Sequence, residues 1–335
     1  MNVNEVFHEI KNEFGDAIYD DTNSIVITGD SLELLKRIPD NSIALILTDP
    51  PYHTTKKKNI IGDTAFKNDE EYLIWLEKYA AEWNRILKPN GCIYCFCSPA
   101  MAPRLLMMFS HHFNILSEIT WTKPNAPGYD GWRRKMKKES LRQWYPHSEK
   151  IIFMERSFEG NLFKSYFGVQ LSKWRKSVNM TTIQLAEITK SYGKVNHGGA
   201  VANWEAGRNI PSRDQYSKIK KALTDKGVTG IPDFEDIIRP FNVSKNVEFT
   251  DVWTFETVKQ YKGKHPAEKP IDLLKHAILS STYENDIVLD CFCGSGNTGI
   301  AARECSRKAI LIDISEEWSE KASQKLAAFK DVNNK

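Results

Sequence analysis

The chain has 335 residues, 41% of them apolar and 27% charged, with a formal net charge of +3. That apolar share builds a sizeable core, which excludes a disordered chain, and the length accommodates one elaborated domain or two. No apolar run reaches the roughly 20 residues of a membrane helix, and the opening stretch MNVNEVFHEIKNEFGDAIYD carries no basic-then-apolar leader, so a cytoplasmic protein is expected.

A β-branched run at 25–29 (IVITG) predicts a strand that leads through Gly29-Asp30 into a helical pattern, SLELLKRI. A second strand, 43–48 (IALILT), ends in Asp49-Pro50-Pro51-Tyr52. Open α/β sheets bind ligands at the carboxyl ends of their strands. Two prolines hold the backbone extended there, so Asp49 and Tyr52 can be fixed in space. A strand stop followed by a plain proline turn fits the same four residues. The polar, glycine-containing stretch 54–68 suits either a mobile lid or a surface loop. His53 reads as part of that loop, not as a reacting group.

A helix is predicted over 70–87, then strands at 92–97 (CIYCFC), 115–121 (ILSEITW) and 149–155 (EKIIFME). Cys92, Cys95, Cys97, Cys291, Cys293 and Cys305 lie mostly in apolar runs, where thiols behave as small buried hydrophobes; no metal site is expected of them. Residues 133–142 (RRKMKKESLR) place six positive side chains against Glu139 alone, a pattern suited to a phosphate backbone through Arg133, Arg134 and Lys135.

From about 156 to 260 the alternation of strands and helices stops. Residues 164–226 hold twelve Lys or Arg against four Asp or Glu, a net +8 that leaves −5 for the remainder. An inserted, mainly helical domain is therefore expected over 156–260, dividing the α/β domain into 1–155 and 261–335.

The alternation resumes with His265-Pro-Ala-Glu-Lys-Pro270, a helix over 270–283 and a strand over 287–291. The run IVLDCFCGSGNTG, 287–299, is a strand feeding a glycine-rich turn and then a helix, GIAARECS. Gly294 and Gly296 permit tight φ values and close approach of a nucleotide-type ligand. A further strand, 309–313, ends in Asp313, from which a carboxylate can reach ribose hydroxyls, and a helix over 316–329 follows. Taken alone, the glycines fit a tight turn or a dinucleotide site equally. Seven strands with intervening helices imply a doubly wound α/β sheet.

Asp49-Pro50-Pro51-Tyr52 together with Asp290-x-Phe292-x-Gly294-x-Gly296 resembles the amino-group DNA methyltransferases of the adenine-N6 and cytosine-N4 type, whose signatures are [DNS]-P-P-[YFW] and D-x-F-x-G-x-G. The catalytic signature comes first and an insertion separates the two, which is the order of the permuted β class. The resemblance spans most of 24–155 and 262–329. It implies a Rossmann-like methyltransferase fold, a seven-stranded mixed sheet, and S-adenosyl-L-methionine (AdoMet) as cofactor. Asp49 and the Pro50 carbonyl would then accept the amino N–H groups, Pro51 would help fix the turn, and Tyr52 would stack on a base flipped from the duplex. Cofactor contacts would come from Asp30, Lys269, Pro270, Asp290, Phe292, Gly294, Gly296, Asn297, Thr298 and Asp313, with Asp313 on the ribose. Asp at the first signature position favours adenine, with cytosine-N4 the alternative.

Residues 180–223 resemble the helix-turn-helix of phage-repressor-type regulators through Leu185-Ala186, Trp204-Glu205-x-Gly207-Arg208, Pro211-Ser212 and Ala222-Leu223, within a helix-turn-helix-like segment 170–225. The stretch ITKSYGKVNHGG is several residues longer than that family's turn. The resemblance implies a recognition helix near 198–206, with Asn203 reading adenine and Lys194, Asn196 and Arg208 on phosphates or bases. A helical bundle that only packs on the catalytic domain is the alternative. For the whole chain, the rival is a DNA-binding regulator with an inactive methyltransferase shell. Expected partners are double-stranded DNA, a cognate restriction endonuclease and a second copy of the chain, in a bacterial or phage-encoded setting.

Overall fold

In the computed structural model, which describes residues 2–53, 65–126, 139, 142, 144, 147–158, 164–191, 199–243 and 250–329, nine strands form one sheet. They are β1 (Tyr19–Asp20), β2 (Ser24–Thr28), β3 (Ile43–Thr48), β4 (Leu87–Cys97), β5 (Phe113–Thr122), β6 (Ser148–Arg156), β7 (Val252–Thr254), β8 (Ile287–Asp290) and β9 (Lys308–Asp313). Their order is β1-β2-β9-β8-β3-β4-β6-β5-β7. The β2/β9, β9/β8, β8/β3, β3/β4 and β5/β7 pairs are parallel and β1/β2 is antiparallel, so the sheet is mixed.

The central strands read as unbroken apolar runs because both their faces are covered. Successive side chains point to opposite faces, and the two hydrophobic clusters divide accordingly. Ile25, Ile27, Ile46, Ile93, Cys95, Ile310 and Ile312 pack with α1 (Val3–Glu13), α2 (Ser31–Leu35), α3 (Asp69–Ile86) and α4 (Ala102–Phe109). Val26, Leu45, Leu47, Tyr94, Phe96, Ala309 and Leu311 pack with the helices numbered α10 (Ile271–Ser281), α11 (Asn297–Glu304) and α12 (Glu316–Ala328) in chain order. Helix α3 shows the local logic. Asn68 caps its N-terminus by accepting from Glu71 N at 2.9 Å, three acids occupy its first turn, and Tyr72, Leu76, Tyr79, Ala80, Trp83 and Ile86 form its buried stripe.

Where the sequence pattern predicts seven strands, the sheet has nine. Strand β1 is two residues long beside a turn in which Asp21 Oδ1 accepts from Asn23 N and Ser24 N, too short and polar to show alternation. Strand β7 has three residues and lies inside 156–260, where helices were expected; its pairing of Trp253 with Trp121 is a tertiary choice. With it, Phe241 onward groups with the α/β unit, so the helical unit ends at Pro240 and not at 260.

That second unit comprises Pro89–Gly91 and Glu155–Pro240. Its helices are α5 (Tyr166–Ser177), α6 (Thr182–Thr189), α7 (Gly199–Glu205), α8 (Arg213–Thr224) and α9 (Phe234–Ile237), around a core that includes Phe167, Leu171, Leu185, Val201, Trp204, Ile219 and Leu223. Capping boxes at Thr181/Gln184 and Ser212/Gln215 start α6 and α8. Gly168 lets α5 meet α7, since a Cβ there would stand 2.6 Å from the Trp204 carbonyl oxygen. The Arg175 guanidinium pairs with both Glu205 oxygens, at 2.6 and 2.9 Å. Among the described residues, no helix is long and apolar enough to cross a membrane.

Candidate active site

Strands β3 and β8 are neighbours although about 240 residues separate them in sequence. From β8 the chain passes through α11 to β9 on one side; from β3 it passes through α3 to β4 on the other. The carboxyl ends of such a pair open a crevice at the point where strand order reverses. Thr48 Oγ1 donates to Asp290 Oδ1 at 3.0 Å across it, tying together the ends from which Asp49-Pro-Pro-Tyr52 and the glycine-rich turn emerge. A cavity of about 300 Å³ lies there. It is lined by Asp49, Pro50, Pro51, Tyr52, Lys269, Asp290, Phe292, Gly294, Asn297, Thr298 and Asp313, all expected from the sequence, and by Phe96, Trp121, Lys123, Glu149, His265 and Trp318, which were not.

An ionic cluster occupies the end of the cavity at the Asp49-Pro-Pro-Tyr52 turn. Lys269 Nζ stands 2.7 Å from Asp49 Oδ2 and 3.0 Å from Glu149 Oε2, and donates to the Tyr52 hydroxyl at 3.1 Å. Tyr52 in turn donates to Glu149 Oε2 at 2.9 Å, while Lys123 Nζ bonds to Glu149 Oε1. The Lys269 ammonium also lies within 5.2 Å of the Tyr52 ring centroid and 5.1 Å of that of Phe96. Burial pushes Glu149 up, but Lys269 and Lys123 outweigh it and hold the carboxyl at about 2. Burial pulls Lys269 down, yet Asp49 and Glu149 keep it above the ordinary lysine value. Asp49 is raised by its burial and by Glu149, against the pull of Lys269. Its Oδ1 is buried and, among the described residues, has no hydrogen-bond partner.

The other end is shaped by the glycine-rich turn. Gly294 sits at φ +47°, and a Cβ there would come 3.1 Å from the His265 ring. Its N–H donates to Asp313 Oδ2 at 2.8 Å, and Ser315 N donates to Oδ1 at 2.9 Å, which orients that carboxylate at the end of β9. Gly296, at φ +76°, is small for a different reason: a Cβ would stand 2.7 Å from Ala322 Cβ, so it admits α12. Asn297 links Lys269 O (2.8 Å) to Lys325 Nζ (2.7 Å). Burial, with Lys269 nearby, lowers the His265 imidazole to about 4, so it is neutral at pH 7. Asp290 accepts from Thr48, Phe292 N and Thr298 Oγ1, the last at 2.6 Å; it shapes the turn through all three. Phe292 packs on Trp75 and Tyr79.

Three expected cofactor residues, Asp30, Pro270 and Gly296, do not line the cavity, Gly296 because it packs against α12. Asp30 is exposed and caps α2 by accepting from Leu32 N at 2.9 Å, and Pro270 starts α10. His53, at φ +55°, is buried against Tyr72 and pairs with Asp69 at 3.4 Å. In the helical unit, Asn203 lies on α7 and accepts from Arg208 Nη1 at 3.0 Å. Arg133, Arg134, Lys135, Lys194 and Asn196, and residues 54–64 of the expected lid, lie outside the described residues. Glu149 and Lys123 escaped sequence reasoning because each stands at the polar end of an apolar strand, where a charge normally marks solvent. The six cysteines are buried free thiols.

A family model described as DNA methylase, covering enzymes of the N6 and N4 types, matches residues 43–324. The chain is 27% identical, over 92% of its length and 91% of the relative's, to the type II methyltransferase M2.LlaDCHI of Lactococcus lactis subsp. cremoris. It is 28% identical, over 88% of its length and 79% of the relative's, to the DNA adenine methyltransferase YhdJ of Escherichia coli K12. In fold it is similar to the cytosine-N4-specific PvuII DNA methyltransferase, with a TM-score of 0.56 and 19% identity over 95% of this chain and 90% of the other. The complex of M1.HpyAVI with SAM aligns with a TM-score of 0.50 and 19% identity over 89% and 97%.

Proposed function

We propose that this chain, which belongs to the N6/N4 DNA methylase family, transfers a methyl group from AdoMet to the N6 amino group of adenine in duplex DNA. The observation that carries the reading is Asp49. Its Oδ2 is held by Lys269 at 2.7 Å while its Oδ1 is buried at the cavity with no protein partner among the described residues. A buried carboxylate oxygen without a donor is costly, and an amino N–H is a donor that would satisfy it.

An aromatic amino nitrogen is a weak nucleophile because its lone pair is delocalised into the ring. Asp49 Oδ1 and the Pro50 carbonyl accepting its two N–H groups favour the tetrahedral nitrogen that can attack, and their placement supplies the rate through orientation and electrostatics. Tyr52, its hydroxyl anchored by Glu149 and Lys269, offers the ring against which a flipped base stacks. AdoMet, when bound, supplies an electrophilic sulfonium methyl and is left as S-adenosylhomocysteine once the nitrogen has taken the methyl and lost a proton.

The residues present fit that cofactor. Gly294 lets the His265 ring approach the turn, Asp313 presents an oriented carboxylate where ribose hydroxyls would lie, and Phe292 offers an aromatic wall. A neutral His265 adds no positive charge against a sulfonium. Asp290, Asn297, Thr298 and the backbone of Lys269, whose carbonyl accepts from Asn297, complete this wall, while Gly296 positions α12 and Asp30 and Pro270 start neighbouring helices.

Adenine is supported by Asp at the first signature position. The α5–α9 unit is read as the part that recognises the target, supported by its basic charge, with Asn203 and Arg208 on DNA; Arg133, Arg134, Lys135, Lys194 and Asn196 are proposed as further contacts. Service beside a cognate restriction endonuclease belongs to the same reading, as do the permuted β-class order and the repressor-like helix-turn-helix.

Asp49→Ala tests the assignment. Methyl incorporation into DNA should fall by about a thousandfold or more, while AdoMet affinity, measured by calorimetry, stays within a few-fold. Near-normal turnover by the variant would remove Asp49 from the chemistry.

A further inference from the structure

Lys269 comes from the segment expected to line the cofactor pocket, yet its ammonium is spent on the catalytic turn. It bonds at once to Asp49 Oδ2, Glu149 Oε2 and the Tyr52 hydroxyl, and only 8% of its side chain is exposed. Glu149 is fixed in turn by Lys123 on its other oxygen and by Tyr52. Three parts of the chain far apart in sequence, the end of β3, the start of β6 and the segment before α10, therefore meet at the Lys269 ammonium.

We propose that Lys269 and Glu149 are a pair of positioning residues for methyl transfer: Lys269 clamps Asp49 Oδ2 so that Oδ1 faces the amino group, and Glu149 holds Lys269 and Tyr52 in place. The inference rests on the functional reading above and assigns the Lys269 side chain to the target base's side of the cavity. A flexible four-carbon stem would not hold one orientation unaided; the bonds to Glu149 and Tyr52 fix it. Asp49 accepts an N–H more strongly when ionised, and its charge is governed by the same clamp. The groups facing it are Lys269, Glu149 and the Tyr52 hydroxyl, with the Cys95 and Cys97 thiols and Asp290 close enough to sense its charge and Lys123 acting through Glu149. Lys269 favours the ionised form and Glu149 disfavours it, so the two substitutions must move the acid limb of activity in opposite directions.

The experiment compares Lys269→Met, Lys269→Arg and Glu149→Gln with the unaltered protein, reading kcat, both KM values and AdoMet affinity from about pH 5 to 10. Lys269→Met should lower kcat at neutral pH by about a hundredfold. Its acid limb should move up by about one unit or more and that of Glu149→Gln down. AdoMet affinity should change little in either, and Lys269→Arg should recover part of the rate. Thermal unfolding with and without AdoMet establishes that each variant is folded. Acid limbs that stay put or move together, or a loss of AdoMet affinity in Lys269→Met matching its loss of kcat, would overturn the assignment while leaving the function intact. An unaltered protein that methylates no DNA would overturn the functional reading and this inference with it.

Discussion

Asp290 shows what a buried acid does when it serves the fold. Burial raises it to about 7, against the lowering effects of Thr298, Phe292 N and Thr48. A carboxyl whose folded value lies above its unfolded one, about 3.9, stabilises the protein most below that unfolded value, and the contribution is lost as pH rises through 7. Stability should therefore fall by a few kcal/mol, in order of magnitude, between about pH 4 and 7 from this residue. Asp290→Asn should flatten that part of the curve in urea unfolding; an unchanged slope would contradict the account. At this scale, Asp49 to Tyr52 was legible because four unusual residues end an apolar strand. Glu149 and Lys123 were not, since nothing local distinguishes an acid at a strand's start from one that meets solvent. Only the pairing of distant strands brings them to Lys269.

Elements were legible in proportion to their length and regularity. Seven strands and the helices α3, α10 and α12 follow from period-two and period-3.6 patterns within a residue or two, except that β4 begins at Leu87, five residues ahead of the CIYCFC run. Helix α1 was missed although Asn2 and Glu5 form a capping box, a signal present in the sequence. Strands β1 and β7 had no such signal, because their existence depends on a neighbouring strand's edge. The glycine-rich turn was recognised, but Gly296 proves to be packing space for α12: its left-handed φ and the 2.7 Å approach to Ala322 Cβ leave no room for a methyl. Gly296→Ala should therefore cost about 1–3 kcal/mol, read as a lower melting temperature. A variant as stable as the unaltered protein would show that α12 yields without strain.

For the whole molecule, charge is divided unevenly along the chain. The segment 164–226 is +8 and the rest −5, so positive charge is concentrated in the stretch that holds α5 to α8, while the cavity keeps its own balance of Asp49, Glu149, Lys269 and Lys123. The charge and lack of strands predict an inserted unit over 156–260; the compact unit of the structure ends at Pro240, a bound hidden from the sequence because β7 is a tertiary pairing. The Asp49-Pro-Pro-Tyr52 turn after β3 and the glycine-rich turn after β8 are separated by this unit in sequence, while their strands are adjacent in the sheet. The most direct test of the central claim is to incubate the purified chain with methyl-labelled AdoMet and duplex DNA of mixed sequence, then identify the labelled nucleoside by mass spectrometry after digestion. The account predicts label in N6-methyladenine; label only in N4-methylcytosine would contradict the choice of base, and label in no amino-methylated nucleoside would contradict the reaction itself.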